Sequence, residues 1–134
     1  GYHGAIARPI FIGDHNKEAQ KALLAAKKAH EECYAALRPG IEGREIEALA
    51  RRIMDEAGLE KYFQHTGMHS IGVMEFEPPF FGPTQDSVFQ EGMVVSLDVP
   101  VFDTPWGGFR VEDGYLITAD GAEKLDLVDY LIIK

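Results

Sequence analysis

Residues 93–118 have the sequence MVVSLDVPVFDTPWGGFRVEDGYLIT, and this stretch decides the fold. Met93 to Phe102 is strongly apolar and rich in valine, which is typical of a buried β-strand. Gly107-Gly108 permits a turn, and Phe109 to Thr118 alternates apolar and polar residues as a returning strand does. The stretch therefore predicts two adjacent strands of one sheet.

Two helices are predicted ahead of these strands. Apolar residues recur every three or four positions over 16–38 and again over 43–57, which is the pattern of two amphipathic helices. Pro39-Gly40 and Gly58 follow them as stop signals. Two helices followed by several strands indicate an α+β fold, in which a curved antiparallel sheet has the helices packed on one face.

Further strands are predicted at both ends of the chain and in its middle. Residues 1–12 contain strand-forming residues, with Pro9 restricted to an edge or a bulge because it has no backbone donor. Residues 69–76 alternate as a strand that Pro78-Pro79 should end, before a long loop. Residues 125–133 predict a short final strand or an extended arm.

Composition limits the classes of partner. The chain has 134 residues and a net charge of -9, so nucleic acid and anionic membrane surfaces are unfavourable partners. Its apolar runs are too short to span a bilayer. Cys33 is the one cysteine, which excludes an intramolecular disulfide and favours a reducing compartment, the cytoplasm. The first residue is Gly1 rather than methionine, so we expect a processed chain or a piece of a longer protein.

Asp98 is the first candidate functional residue, because it interrupts the apolar strand. A carboxylate buried there must be hydrogen-bonded, paired, metal-bound or protonated. Arg110 and Glu112 are two positions apart on the following strand, so they share one face and could lie beside Asp98. The alternatives are that Asp98 faces solvent or pairs with Arg110, and that these residues belong to a solvated charged face.

Two histidines near glycine-containing turns are further candidates. His65 and His69 are more often structural than catalytic, although the nearby glycines permit close approach of a ligand to the backbone. Histidine, aspartate and glutamate on separate strands are a known ligand mixture for divalent metal ions. The spacing alone does not choose between a metal site and a structural role.

Three segments resemble the motifs of the pita-bread hydrolases, the family that includes methionine aminopeptidase, aminopeptidase P, prolidase and creatinase. They are HTGMHSIGVMEFEPP over 65–79, EGMVVSLD over 91–98, and GFRVED over 108–113 followed by TADGAEKL over 118–125. The resemblance covers nearly the whole chain in the right order and is closest to the aminopeptidase P, prolidase and creatinase branch. It implies a pita-bread fold and a C–N bond hydrolase.

The resemblance also implies a dinuclear site for a divalent metal (Mn, Co or Zn), held by two aspartates, one histidine and two glutamates. By position, His69 and Glu112 match two of these ligands, and Asp98 stands where the other glutamate would be. Ala5 stands where the second aspartate should be, and the first aspartate would precede residue 1. A site this incomplete implies at most one weakly held metal, or none.

Creatinase offers a second interpretation, because it resembles the peptidases in fold yet works without metal. Asp98 and Glu112 would then grip a cation or orient water, and His65 would position or protonate the substrate. Phe76 stands where the peptidases have a substrate-contacting histidine. The candidate residues form three sets, which are catalytic His65, Asp98 and Glu112, substrate-binding His65, Phe76 and Arg110, and metal-ligating His69, Asp98 and Glu112.

The predicted function is a C–N bond hydrolase of the Xaa-Pro peptidase or creatinase type, acting on a peptide or a small amide or guanidino substrate. The alternative is a non-catalytic pita-bread module that binds peptide or protein, which Ala5 and Phe76 favour. A purely structural domain leaves Asp98 unexplained. We expect residues 1–134 to form a single partial catalytic domain without its first strand and N-terminal domain, in a homodimer.

Overall fold

The architecture is a curved antiparallel sheet with two helices on one of its faces. The structure, a computed structural model, describes residues 1–14 and 16–129. The described helices are α1 (Lys17–Ala36), α2 (Gly43–Glu56) and a short 3₁₀ turn over Glu60–Tyr62. The strands are β1 (Ile6–Ala7), β2 (His69–Ser70), β3 (Glu77–Phe80), β4 (Val94–Thr104), β5 (Gly107–Ile117) and β6 (Ala122–Lys124). Their order is β1-β5-β4-β2-β3, with β6 also paired to β5, and every named pair is antiparallel, which confirms the α+β class.

The hairpin of β4 and β5 positions the candidate site. Its register places Asp98 opposite Glu112 and Val99 opposite Val111. Because successive side chains of a strand point to opposite faces, β4 has an apolar face and a polar face. The apolar face packs under α1, where each side chain contributes roughly 1.5–3 kcal/mol by leaving water. Its fully buried members are Val95, Leu97, Val99 and Val101. The strands predicted over 93–102 and 109–118 are confirmed.

Side chains cap the starts of both helices, which lie within two residues of their predicted bounds. Asn16 Oδ1 accepts hydrogen bonds from the backbone N–H groups of Glu18 and Ala19, at 2.8 and 3.3 Å. These donors have no partner within α1, so the cap stabilises its first turn. At the start of α2, the Glu45 carboxylate accepts the Glu42 backbone N–H at 3.0 Å. None of the helices in the described residues is long and apolar enough to cross a membrane.

Two strand predictions are wrong in their extent. Within 1–12, only Ile6–Ala7 forms a strand against β5, because Pro9 follows closely and has no N–H to continue the ladder. Within 69–76, only His69–Ser70 is a strand, and the chain bends from Gly72 onward. The apolar composition of these two stretches therefore predicted longer strands than the structure contains.

Pro78-Pro79 lies inside β3, although the sequence predicts that it ends a strand. β3 is the last strand in the order of the sheet, so one of its sides needs no backbone donor and proline is tolerated there.

At the other end of the chain, the last described strand comes earlier than predicted. The strand is Ala122–Lys124, because the chain bends over 119–121 and returns directly along β5. Residues 125–129 lie outside it, and 130–133 lie outside the described residues. A strand of three residues is too short for periodicity to reveal it.

Candidate active site

The predicted site residues lie on the face of the sheet that points away from the helices, which we call the open face. His69 lies opposite Ser96 across β2 and β4, and Asp98 lies opposite Glu112 across β4 and β5. Residues that are opposite each other share a face, and so do residues two positions apart. The alternation of each strand therefore brings five polar residues to the open face, namely His69, Ser96, Asp98, Arg110 and Glu112.

Arg110 joins the two carboxylates of the open face. Its Nη2 atom lies 2.8 Å from Asp98 Oδ2 and 3.0 Å from Glu112 Oε2. The other oxygen of Glu112, Oε1, accepts a hydrogen bond from the Ser96 hydroxyl at 2.7 Å. We call Asp98, Arg110 and Glu112 the carboxylate bridge. The prediction that these three residues share one surface is correct, and so is the alternative that Asp98 pairs with Arg110.

Asp98 is buried and has a raised pKa. Burial raises the pKa of Asp98 to about 6, while the Arg110 guanidinium opposes the shift and the Glu112 carboxylate adds to it. Asp98 Oδ1 and Arg110 Nε are buried atoms without a hydrogen-bond partner among the described residues. A carboxyl group with a pKa near neutrality and a free oxygen is suited to accept and donate protons.

A short segment before β2 covers one side of Asp98. The Gly67 N–H donates to the Asp98 carbonyl oxygen at 3.1 Å. A Cβ atom at Gly67 would lie 2.7 Å from Asp98 Oδ2, so only glycine fits this contact. His65 is exposed, its Nδ1 atom lies 2.9 Å from the Thr66 carbonyl oxygen, and its charge opposes the rise in the Asp98 pKa. His65 therefore lies within electrostatic range of Asp98, and its catalytic role stays a prediction.

Substitution of Gly67 is expected to disturb the carboxylate bridge. The added methyl group of Gly67→Ala must push the Asp98 carboxyl group away, because the closest contact lies far below normal van der Waals separation. We expect a loss of about 1–3 kcal/mol in the free energy of unfolding, measured by urea denaturation. Gly121→Ala is the matched control, since its Cβ would meet only Thr118 Oγ1, at 3.9 Å. Equal stability of the two variants would contradict the close packing of Gly67 on Asp98.

His69 and Phe76 form a separate pair beside the carboxylate bridge. The His69 ring is buried and stacks on the Phe76 ring, with 3.6 Å between the ring centroids. The His69 Nδ1 atom lies 3.1 Å from the Ser70 carbonyl oxygen. Phe76 is 54% exposed, so one side of its ring covers His69 and the other meets solvent.

The donor set does not fit a dinuclear metal centre. No group of three or more His, Cys, Asp or Glu side chains within residues 1–14 and 16–129 is arranged to hold a metal ion. Ala7 lies opposite Glu112, so Ala5 reaches the same face two positions earlier and offers no ligand atom. The Arg110 guanidinium already occupies the space between Asp98 and Glu112. His69, Asp98 and Glu112 therefore share the open face without forming a metal-binding cluster.

Two contributors to the site were missed by the sequence analysis. Ser96 has no signal of its own, because a serine on a strand is ordinary and its bond to Glu112 depends on register. Glu47 does have a signal in the sequence, since it lies one position after Ile46 and three before Ala50, within the apolar stripe of α2. The structure shows that its side chain is buried. An acidic residue in a buried helical stripe indicates a specific partner.

The sequence profile of metallopeptidase family M24 matches residues 1–119. The chain belongs to metallopeptidase family M24. This assignment confirms the predicted resemblance to the pita-bread hydrolases, and the family as a whole is metal-dependent.

Relatives and solved structures agree with the assignment. The M24 domain is 31% identical over 124 residues to an Xaa-Pro dipeptidase of Pyrococcus horikoshii, covering 92% of this chain and 35% of that protein. It is 32% identical over 122 residues to a probable dipeptidase PepE of Mycobacterium tuberculosis, covering 91% of this chain and 32% of that protein. The crystal structure of the prolidase from Pyrococcus horikoshii superposes with a TM-score of 0.92 at 30% identity, covering 98% of this chain and 38% of that one. The pita-bread fold is thereby confirmed, and the chain spans about a third of the length of these relatives.

Metal titration is expected to show weak binding to this M24 domain. Because Ala5 offers no ligand and Arg110 competes for both carboxylates, Mn²⁺, Co²⁺ and Zn²⁺ should bind poorly in calorimetry, with no dinuclear centre. The double variant Ala5→Asp/Asp98→Glu should bind at least about tenfold more tightly, which corresponds to about 1.4 kcal/mol. Two tight metal equivalents bound by the unsubstituted protein would refute the prediction.

Proposed function

We propose that this domain is the catalytic part of a C–N bond hydrolase of the Xaa-Pro peptidase or creatinase type, as one domain of a longer protein. The observation that carries the proposal is the pair of unpartnered atoms in the carboxylate bridge. Asp98 Oδ1 is a buried acceptor and Arg110 Nε a buried donor. A dipeptide presents amino N–H groups and a carbonyl oxygen, so it can satisfy both atoms at once even where proline leaves the scissile amide without an N–H.

The chemistry follows from the protonation of Asp98. In its carboxylate form Asp98 can take a proton from an attacking water, and in its acid form it can return that proton to the leaving nitrogen. A pKa of about 6 allows both forms to be populated near neutral pH. Glu112, fixed by Ser96 and Arg110, holds the guanidinium in place, and His65 is proposed to position or protonate the substrate.

The proposed substrate is a peptide, or a small amide or guanidino compound. His65, Phe76 and Arg110 are proposed to contact it, since the free side of the Phe76 ring offers an apolar surface beside the bridge. The relative named above as an Xaa-Pro dipeptidase favours a substrate with proline after the scissile bond.

We also propose a cytoplasmic homodimer. The Cys33 thiol is free and buried, which suits a reducing compartment. β1 lies at an edge of the described sheet, and an edge strand favours pairing with another chain.

The test is the release of proline from a panel of Xaa-Pro dipeptides by the intact protein that carries this domain. We expect release that depends on Asp98 and is unchanged by Asp86→Asn, which alters a carboxylate with a 93% exposed side chain. Creatine serves as the guanidino probe in the same assay. Absence of turnover with every probe would overturn the hydrolase proposal.

A non-catalytic module that binds peptide or protein is the second candidate. It is favoured by the missing ligand at Ala5 and by the internal cation of the carboxylate bridge. In this case calorimetry would detect binding of an Xaa-Pro dipeptide, and mass spectrometry would recover the dipeptide intact.

A further inference from the structure

Glu47 of α2 is a buried carboxylate that lies off the open face. Its side chain is 3% exposed. Glu47 Oε2 accepts two hydrogen bonds from Thr66, one from the backbone N–H and one from the hydroxyl, both at 2.7 Å. Glu47 Oε1 accepts a third from Arg51 Nη2 at 2.8 Å. The donors to Glu47 are therefore Arg51, one turn further along α2, and Thr66, in the segment before β2.

Arg51 holds the same segment at a second point. Its Nη2 atom also donates to the Gln64 carbonyl oxygen at 2.7 Å, and its guanidinium lies 5.0 Å from the centroid of the Phe63 ring. We call Glu47 and Arg51 the α2 clasp. The α2 clasp contacts the chain from Phe63 to Thr66. This stretch directly precedes Gly67, which touches Asp98.

The residues gripped by the clasp are continuous with the wall of the site. Gly67 follows Thr66 directly, donates to the Asp98 carbonyl oxygen at 3.1 Å and leaves no room for a Cβ beside the Asp98 carboxyl group. His65 precedes Thr66, and its ring nitrogen lies 2.9 Å from the Thr66 carbonyl oxygen. Displacement of Thr66 therefore moves both neighbours of Asp98 together.

Stability alone does not account for the clasp. A buried carboxylate gains little net stability from an arginine whose side chain is 36% exposed, because the loss of hydration offsets the attraction. Charged hydrogen bonds do fix geometry, since they are short and directional. The geometry fixed here is the distance of the 65–67 segment from Asp98.

We propose that Glu47 is a positioning residue of the site, which holds the His65–Gly67 segment against Asp98 through Thr66. The expected effect on kcat rests on the proposed hydrolase function. The expected effect on the hydrogen exchange of the Gly67 amide does not. A group held in the productive position raises the rate of the chemical step more than it tightens substrate binding.

The experiment compares Thr66→Val with Thr66→Ser in the intact protein. Valine keeps the shape and removes the hydroxyl donor to Glu47, whereas serine keeps the hydroxyl. Hydrogen exchange followed by NMR should show that the Gly67 amide exchanges at least about tenfold faster in Thr66→Val, while the amides of the β4–β5 ladder change less than about threefold. With an Xaa-Pro dipeptide, kcat should fall about tenfold and KM should stay within about twofold.

Serine at position 66 should restore both values, and Glu56→Gln, which breaks an exposed pair with Arg52 on the same helix, should change neither. Equal acceleration of exchange at Gly67 and in the ladder would mean that Thr66 is only structural, and unchanged exchange at Gly67 would overturn the proposal. If no variant hydrolyses any dipeptide but the exchange effect is present, the proposed function fails and the positioning role stands.

Discussion

Asp98→Asn is expected to abolish hydrolysis by the intact protein while the domain stays folded. The substitution keeps the size of the side chain and removes both the negative charge and the titration near pH 6. Asparagine can neither take a proton from water nor return it to the leaving nitrogen, so kcat should fall at least about 100-fold. The measurement is the steady-state rate of proline release at pH 7.5, with the circular dichroism spectrum as the check on folding.

The same variant should be more stable than the parent at neutral pH. The pKa of Asp98 is about 6 in the folded protein against an ordinary value of 3.8, so the folded state disfavours the charged form. The contribution of Asp98 to stability is therefore most favourable below pH 3.8 and is lost as the pH rises through 6, by about 3 kcal/mol in all. Asparagine avoids this loss, and Arg110 keeps Glu112 as a partner. Urea denaturation should show equal stability near pH 4 and a more stable variant at pH 8.

Two results would contradict this account of Asp98. Unfolding of Asp98→Asn under conditions where the parent is folded would make Asp98 a structural residue. Full activity of the variant would remove Asp98 from the catalytic site. Asp86→Asn is the control in both measurements, because its exposed carboxylate has no role in the sheet.

The fold was predictable because its central elements are long. The helices and the β4–β5 hairpin repeat their apolar pattern often enough for periodicity to be decisive. β1 and β2 have two residues each, and their pairing depends on contacts with other strands, which no local pattern records. The prediction that Pro78-Pro79 ends a strand is wrong for the same reason, since only the position of β3 at the sheet edge makes proline acceptable.

The sequence predicted which residues share one face of the sheet, but it did not predict the contacts between their side chains. Alternation along the strands placed Arg110 and Glu112 beside Asp98. It could not show that Arg110 bonds both carboxylates, because that depends on the rotamer of a long side chain. The grip of Glu47 on Thr66 joins residues far apart in the chain, so only the packing of α2 against the sheet reveals it.

Outside the site, Arg8 is the main partner of a second buried carboxylate. Asp113 is 1% exposed, and the Arg8 guanidinium bonds its Oδ1 atom. Arg8 also donates to the carbonyl oxygens of Glu112 and Val128, both at 2.8 Å, so it connects β5 to the chain beyond β6. Burial lowers the pKa of His30 to about 4, so this neighbour of Asp113 is neutral at pH 7 and contributes no positive charge.

Arg8→Met is expected to lower the free energy of unfolding by about 3–5 kcal/mol at pH 7. It leaves Asp113 buried, and Lys124, at 3.4 Å, is then the one cation within residues 1–14 and 16–129 that balances its charge. Burial and a hydrogen bond with Asp126 raise the pKa of Asp113 to about 6, and Arg8 opposes that rise. Without Arg8 the pKa rises further, so the loss should be largest above pH 6 and should shrink towards pH 4, where Asp113 is protonated in both proteins. Urea denaturation across this pH range measures the effect, with Arg52→Met as the control, since its pair with Glu56 is exposed and contributes at most about 0.5 kcal/mol. A defect of the same size at pH 4 and pH 8 would show that Arg8 acts through packing rather than through the charge of Asp113.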